Sequence, residues 1–210
     1  MKLKERILEK LTILYLKFID AKFKKRIIYS YKKYSKNVFI FSSKGKKGGQ
    51  TTPWNTIIIS DKIFEKYSKN VRDFIFLHEF GHTKLNVVLR ILFYISIVPL
   101  SLFFIYSLFA TFFYTIILIS SRTEFFISFF MLMSALIVNI IFGLIVMIIS
   151  WSCELYAEIF AIKTMGREKY LKAIKETEKG GNDKNLLSRF FDKLLHPTHQ
   201  VIMFFYEKFN

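Results

Sequence analysis

The sequence contains few cysteines, few histidines and few acidic residues. Its one cysteine, Cys153, excludes an intramolecular disulfide bond, and this composition is typical of a reducing compartment. Sixteen acidic residues stand against 32 lysines and arginines, so the formal net charge is +16. The sequence shows no phosphate-binding loop, no nucleophile elbow and no internal repeat, so it gives no support for a P-loop nucleotide-binding protein, an α/β-hydrolase or a repeat protein. The four histidines can be considered one by one.

Hydrophobic residues, by contrast, are abundant. They make up 52% of the 210 residues, and aromatic residues make up 18%, which is more than a soluble domain of this size usually carries. Two runs, residues 91–120 and 125–150, contain no charge, and each exceeds the roughly 20 residues that cross a bilayer core. Only residues 121–124 separate the two runs, so we expect a tight turn and an antiparallel transmembrane hairpin.

The basic residues are concentrated near the N-terminus. Residues 1–50 hold fifteen lysines and arginines and three acidic residues, a net charge of +12. Within residues 1–34, apolar side chains recur every three to five positions among lysines, which predicts one basic amphipathic helix rather than a signal peptide or a spanning helix. These apolar side chains are Leu3, Ile7, Leu11, Leu14, Phe18, Phe23, Ile27 and Tyr31. Such a helix lies on a membrane with anionic headgroups or covers a folded domain, and its apolar stripe disfavours a nucleic-acid arm.

The distribution of charge also predicts an orientation. The positive-inside rule places the basic N-terminal part on the cytoplasmic side of the membrane. Two spans return the chain to the side from which it started, so we expect the C-terminal part to be cytoplasmic as well. The predicted location is the cell membrane, with both termini and the functional site on the cytoplasmic side.

Two β-strands are predicted, and both precede the first apolar run. A short strand is expected at Val38–Ser43, followed by a charged, glycine-rich loop over residues 44–53. Trp54–Ser60 is the strongest strand pattern, because it is rich in β-branched residues and follows Pro53. This strand either belongs to the interior of a sheet or offers an edge to an extended peptide substrate.

Two histidines four residues apart indicate a metal site. In a helix, His78 and His82 lie on one face, so both imidazoles can bind one metal ion. Glu79 follows the first histidine, where a carboxylate can act as a general base toward metal-bound water. The alternative is a chance occurrence of this short motif on a buried helix.

A third ligand is expected from the far end of the hairpin. Two arms of comparable length bring Glu154 back to the level of the histidines. Two histidines, one glutamate and a water form a catalytic zinc arrangement. Glu158, four residues later on the same helical face, can accept a hydrogen bond from a ligating imidazole. The alternative is a helix surface on which both glutamates are solvated.

Three motifs in this order resemble the membrane-embedded zinc metallopeptidases that include the HtpX-type heat-shock proteases and the CAAX prenyl endopeptidases. The first is His78-Glu79-Phe80-Gly81-His82. The second is Glu154-Leu155-Tyr156-Ala157-Glu158, where the family has Glu-x-x-Ala-Asp, and the third is His196-Pro197-Thr198, where it has His-Pro-Ser/Pro. The resemblance covers residues 55–202.

The resemblance implies a role for each of these polar residues. The implied ligands of one zinc ion are His78, His82 and Glu154. Glu79 is the implied base, and Glu158 takes the place of the family's aspartate with one additional methylene group. His196 falls where the family has a histidine near the reaction centre, and there it would donate a hydrogen bond to the oxyanion. The alternative for His196 is a cap on the last helix.

Together these features predict an α+β, mainly α-helical, zinc metallopeptidase domain, with a two-helix transmembrane hairpin inserted between the second histidine and Glu154. The predicted parts are residues 1–36 (membrane-surface helix), 37–90 (first part of the catalytic domain), 91–151 (hairpin) and 152–210 (second part of the catalytic domain). The predicted function is a zinc endopeptidase with one zinc ion per chain, acting on peptides or membrane proteins and contacting an anionic bilayer but no nucleic acid. The alternative function is a non-catalytic membrane scaffold or regulatory protein that retains the fold.

Overall fold

A computed structural model of the chain describes residues 3–43, 48–92, 105–107, 109–113, 115–116, 125–179 and 196–208. The elements in chain order are α1 Leu3–Phe18, β1 Lys22–Tyr31, β2 Tyr34–Ser42, β3 Gly49–Thr51, β4 Ile57–Ser60, α2 Asp61–Lys66, α3 Lys69–Lys84, α4 Phe125–Met165, α5 Arg167–Lys179 and α6 His199–Lys208. A further helical stretch covers residues 87–92. The expected α+β class with mainly helical content is therefore confirmed.

The chain forms two compact units. The first contains Met1–Leu85, Glu154–Lys193 and Pro197–Asn210, and the second contains Asn86–Cys153 and Leu194–His196. The predicted boundary after residue 36 falls inside strand β2 of the first unit, so the treatment of residues 1–36 as a separate part is wrong. The physical reason is that β2 needs β1 as a pairing partner, which joins both to one sheet.

The N-terminal region is a helix followed by a β-hairpin, so the prediction of one helix over residues 1–34 is wrong. Helix α1 ends because Asp20 adopts a left-handed backbone with φ of 53°, and the N–H of Ala21 donates a hydrogen bond of 2.8 Å to the carbonyl of Leu16. Strand β1 then pairs antiparallel with β2. The β-branched and aromatic residues of β1 fit a loose helical spacing, but they fit a paired strand as well, and the partner strand decides between the two.

The four strands form one sheet in the order β1-β2-β4-β3. Strands β2 and β4 are parallel, whereas β1 with β2 and β3 with β4 are antiparallel. The strand predicted at Trp54–Ser60 is present as β4, but neighbours occupy both of its sides, so it offers no edge to a peptide. Strand β3 lies at the sheet edge, within the segment that was predicted to be a loop. The sequence did not indicate this strand, because three residues that include one glycine carry too little of a strand pattern.

The two faces of the sheet pack against different helices. Side chains alternate between the faces along a strand, so Val38 and Ile40 of β2 join the core that contains α3, whereas Phe39 and Phe41 pack with Leu16 of α1. The core on the α3 side also receives side chains from the end of α4, from α5 and from α6, namely Ala161, Ile162, Met165, Tyr170, Ala173, Ile174 and Ile202. Helix α3 is therefore held between the sheet and these three helices.

Helix α4 runs without interruption from Phe125 to Met165. Its segment Met133–Met165, 33 residues long, is by length and composition able to cross a membrane. Within the second unit, the hydroxyl of Ser107 donates a hydrogen bond of 2.8 Å to Oδ1 of Asn139, so two buried polar side chains satisfy each other. Most of the first predicted span and all of the turn after it lie outside the described residues, so the two-helix hairpin stays a prediction.

Candidate metal centre

Helix α3 carries both histidines of the metal motif. It begins after Ser68, whose hydroxyl accepts a hydrogen bond of 3.4 Å from the N–H of Val71 and donates one of 2.7 Å to Glu176 on α5. About one helical turn separates His78 from His82, and their Nε2 atoms lie 3.1 Å apart. Both imidazoles therefore point to one place.

Glu154 of α4 completes a group of three ligand atoms. Its two carboxylate oxygens lie 3.3 Å from Nε2 of His78 and 3.4 Å from Nε2 of His82. The ligand atoms of the three residues all lie within 4.8 Å of one another, so one ion can contact all three. Two imidazoles and one carboxylate fit zinc, and three protein ligands leave the fourth position of a tetrahedral site open.

A glycine inside the motif allows the two ligand helices to approach closely. A Cβ atom on Gly81 would lie 2.8 Å from Cα of Ala157 and 3.1 Å from its carbonyl oxygen, so no side chain fits at this position. Ala157 follows Glu154 by three residues on α4. The contact between Gly81 and Ala157 therefore sets the distance between the glutamate and the histidines.

Glu79 lies beside the ligands and is held by strand β3. The hydroxyl of Thr51 donates to the carboxylate of Glu79 at 2.9 Å and to its carbonyl oxygen at 2.8 Å. A Cβ atom on Gly49 would lie 2.9 Å from Cγ of Glu79, so the strand packs directly on this side chain. Burial raises the pKa of Glu79, while the neighbouring histidines and the Thr51 hydrogen bond oppose the rise. A buried carboxylate with a raised pKa suits a general base.

Glu158 and Tyr170 lie behind His78. Oε1 of Glu158 is 3.5 Å from Nδ1 of His78, at the outer limit of a hydrogen bond, while Nε2 of the same ring faces the other ligands. Tyr170 is fully buried, and its hydroxyl lies 3.2 Å from Nδ1 of His199. Burial and the nearby Glu158 carboxylate raise the pKa of the Tyr170 phenol. Glu158 thus lies near the nitrogen of His78 that faces away from the other two candidate ligands, and its role in orienting the imidazole stays a prediction.

The two C-terminal histidines have different surroundings. His196 is exposed and groups with the second unit, so its donation to an oxyanion stays a prediction. His199 begins α6, and 42% of its side chain is exposed. Its contact with Tyr170 links α6 to α5 behind the ligand helices.

The sequence patterns do not predict three residues of this site, namely Gly49, Thr51 and Tyr170. Thr51 lies 28 positions before Glu79, so no local periodicity connects the two. The glycines of the segment 44–53 are the available signal, because glycine often marks a close approach of backbone to another group. Tyr170 ends the segment Gly166–Tyr170, which resembles the family's sequence after the third ligand, but this resemblance gives Tyr170 no role of its own.

Zinc binding is expected to strengthen as the pH rises. Burial alone would lower the pKa of His78, but hydrogen bonds and charges from Glu154 and Glu158 outweigh burial and raise it well above its usual 6.5. A raised pKa keeps His78 protonated to a higher pH than an ordinary histidine when no metal is bound, and zinc must displace that proton. Affinity should rise by about tenfold per pH unit below the pKa of His78 and level off above it. Competition with a chelator at several pH values measures this, and a constant affinity would contradict it.

Two histidines and a carboxylate that could hold one metal ion, with a buried carboxylate beside them, form an arrangement typical of metal-dependent hydrolases. The family model described as Peptidase family M48 matches residues 3–199, which is most of the chain. The chain therefore belongs to peptidase family M48, a family of zinc metallopeptidases. The family membership predicted from the three motifs is confirmed. No curated protein and no solved structure matches the chain significantly.

Proposed function

We propose that the chain is a membrane-integral, zinc-dependent endopeptidase that hydrolyses peptide bonds at the cytoplasmic face of a membrane. The convergence of His78, His82 and Glu154 beside the buried carboxylate of Glu79 carries this proposal. A purely structural zinc site is normally closed by four protein ligands, whereas three ligands leave room for water. A purely structural metal site has no need of a general base, so the buried carboxylate of Glu79 favours the catalytic proposal over a non-catalytic scaffold.

Each polar residue around the ligands has a proposed task. The chemistry that zinc supplies in such a site is polarisation of the scissile carbonyl group and a lowered pKa of water, about 7. Glu79 takes the proton of the attacking water and later passes it to the leaving amine. The Thr51 hydroxyl orients the Glu79 carboxylate, and Glu158 orients the imidazole of His78. His196 donates a hydrogen bond to the oxyanion that develops on the substrate.

Strand β3 is the proposed binding edge for the substrate backbone. It pairs with β4 on one side and, among the strands described, has no neighbour on the other. Thr51 of this strand contacts Glu79 directly. A peptide that adds to β3 as a further strand would therefore run past the base, in the extended conformation that β-augmentation requires.

The proposed membrane topology comes from apolar length and charge. Met133–Met165 is long and apolar enough to cross a bilayer, and residues 91–120 are the proposed second span. The net charge of +12 on residues 1–50 favours the cytoplasmic side for both termini. A bilayer with anionic headgroups is the second proposed partner, beside a peptide or membrane-protein substrate.

The zinc content of detergent-purified protein tests this proposal. We expect about one zinc ion per wild-type chain and a clear loss in Glu154→Ala, because two histidines alone hold zinc weakly. The matched control is Glu168→Ala, since 85% of the Glu168 side chain is exposed on α5, and this variant should keep the wild-type content. Equal zinc in Glu154→Ala and wild type, or none in either after reconstitution, would remove the catalytic proposal and favour the membrane scaffold.

A further inference from the structure

Helix α1 exposes a row of apolar side chains. Their spacing of three or four residues places them on one face of the helix. They are Leu3, Ile7, Leu11, Leu14 and Phe18, with 76%, 50%, 38%, 64% and 88% of their surface exposed. Because these side chains are exposed, the apolar row faces away from the sheet that α1 covers. An amphipathic helix that only covers a domain would instead turn such a row toward the core.

The opposite face of α1 is attached to the sheet. Thr12 and Leu16 are fully buried there. The Thr12 hydroxyl accepts a hydrogen bond of 3.0 Å from the indole of Trp54, and the hydroxyl of Tyr15 accepts one of 2.6 Å from the amide of Gln50. Rotating α1 to hide its apolar row would break both bonds and expose Leu16. Both interpretations of the N-terminal helix thus apply, because one face covers the domain while the other is open to a partner.

Basic side chains border the apolar row. On the helical projection, Arg6, Lys10 and Lys17 follow one side of the row, and all three are exposed. Strand β1, which follows the helix, adds the exposed Lys22 and Lys25. An apolar row flanked by cations is complementary to a surface of acyl chains and phosphates.

We propose that α1 lies in the plane of an anionic lipid bilayer surface, with its apolar row inserted at the boundary of headgroups and acyl chains and with Arg6, Lys10 and Lys17 contacting lipid phosphates. An in-plane helix of this kind inserts to a depth of roughly 5–10 Å. The inference depends on one part of the proposed function, the presence of the chain at a membrane, and it needs no catalysis. It adds a second membrane contact, formed by the domain that carries the metal centre.

Spin labels on the full-length chain test the docking of α1. In a Cys153→Ala background, Leu14→Cys and Phe18→Cys carry a nitroxide, and the protein is reconstituted in nanodiscs of mixed phosphatidylcholine and phosphatidylglycerol. We expect both labels to collide several-fold more often with oxygen, which concentrates in lipid, than with a water-soluble nickel chelate. The matched control is Glu65→Cys on α2, an exposed position outside the apolar row, where the nickel chelate should dominate.

The contribution of charge is tested in the Leu14→Cys chain by the triple substitution Arg6→Gln, Lys10→Gln and Lys17→Gln. Each basic residue near an anionic surface favours docking by about fivefold, so the three together should weaken docking by about 100-fold and return the label to water. The control substitution Lys66→Gln, Lys69→Gln and Lys84→Gln removes the same charge from exposed positions outside α1 and should leave the label in lipid. A label that stays in lipid after the first triple substitution would overturn the role of anionic headgroups.

Two other results would overturn the docking proposal. Row labels that behave like the Glu65 control would show that α1 lies in water, and labels shielded from both oxygen and nickel would show that protein covers the row. Zinc content measured on the same samples separates this inference from the peptidase proposal. Docked labels in a chain without zinc would support the lipid contact and reject the peptidase. Labels in water on a chain that holds zinc would reject the lipid contact and leave the peptidase proposal standing.

Discussion

Replacing Glu79 with glutamine is expected to abolish peptide cleavage and to leave zinc bound. A general base typically contributes a factor of about 10²–10⁴ to the rate. Glu79 lies beside the ligand group without belonging to it, so the ligand set stays complete. Glutamine has nearly the same shape, and its amide oxygen can still accept the hydrogen bond that Thr51 donates. Hydrolysis of a fluorescently labelled casein, with zinc content determined on the same preparation, measures both effects.

The control for this experiment is Glu168→Gln, which makes the same chemical change at an exposed position of α5. It should cleave at the wild-type rate and hold the wild-type amount of zinc. Wild-type cleavage by Glu79→Gln would exclude Glu79 as the base. Loss of zinc from Glu79→Gln would instead show that this carboxylate helps to hold the ion.

Replacing Gly81 with alanine is expected to weaken zinc binding and to lower thermal stability. The new Cβ would meet the backbone of Ala157 at 2.8 Å, and backbone of a continuous helix cannot move aside as a flexible side chain can. Helix α4 must then shift, and Glu154 moves with it. Overpacking of this kind costs about 1–3 kcal/mol, and the melting temperature should fall by about 2–4 °C for each kcal/mol. Zinc affinity should fall by a factor on the order of 10–100, the range for loss of support around a metal ligand.

The sign of this effect makes it diagnostic. An alanine in place of glycine normally stabilises a helix by about 1 kcal/mol. The control Gly143→Ala, on α4 where a Cβ would meet nothing within 4 Å, should therefore be neutral or stabilising and keep its zinc. Thermal unfolding in detergent and chelator competition measure stability and affinity. If Gly81→Ala binds zinc as tightly as the wild type, the close contact between α3 and α4 does not set the ligand distance.

Patterns that depend on neighbouring residues are readable in the sequence. The helix that the metal motif implies is present as α3, because its apolar positions and its Ser68 cap act within a few residues. The spacing of His78 and His82 brings their rings together for the same reason. Glu154 lies 3.3 Å and 3.4 Å from Nε2 of His78 and of His82, while the hairpin length from which its place was predicted stays a prediction.

Other features depend on partners that are distant along the chain. Residues 22–31 form a strand although their spacing also suits a helix, because pairing with β2 satisfies their backbone hydrogen bonds. Strand β3 is too short to show a pattern, yet it positions Glu79 through Thr51. The importance of Gly81 inside the motif becomes visible only when Ala157 is packed against it.

The sequence by itself determined the metal motif, the apolar helix long enough to cross a membrane and the membership of peptidase family M48, since these depend on residue identity, spacing and composition. The tertiary structure decided the order of the strands, the support of Glu79 by Thr51, the place of Tyr170 behind Glu158 and the outward direction of the apolar row on α1. The physical reason is that side-chain contacts between distant segments arise from packing in three dimensions, where local periodicity has no influence.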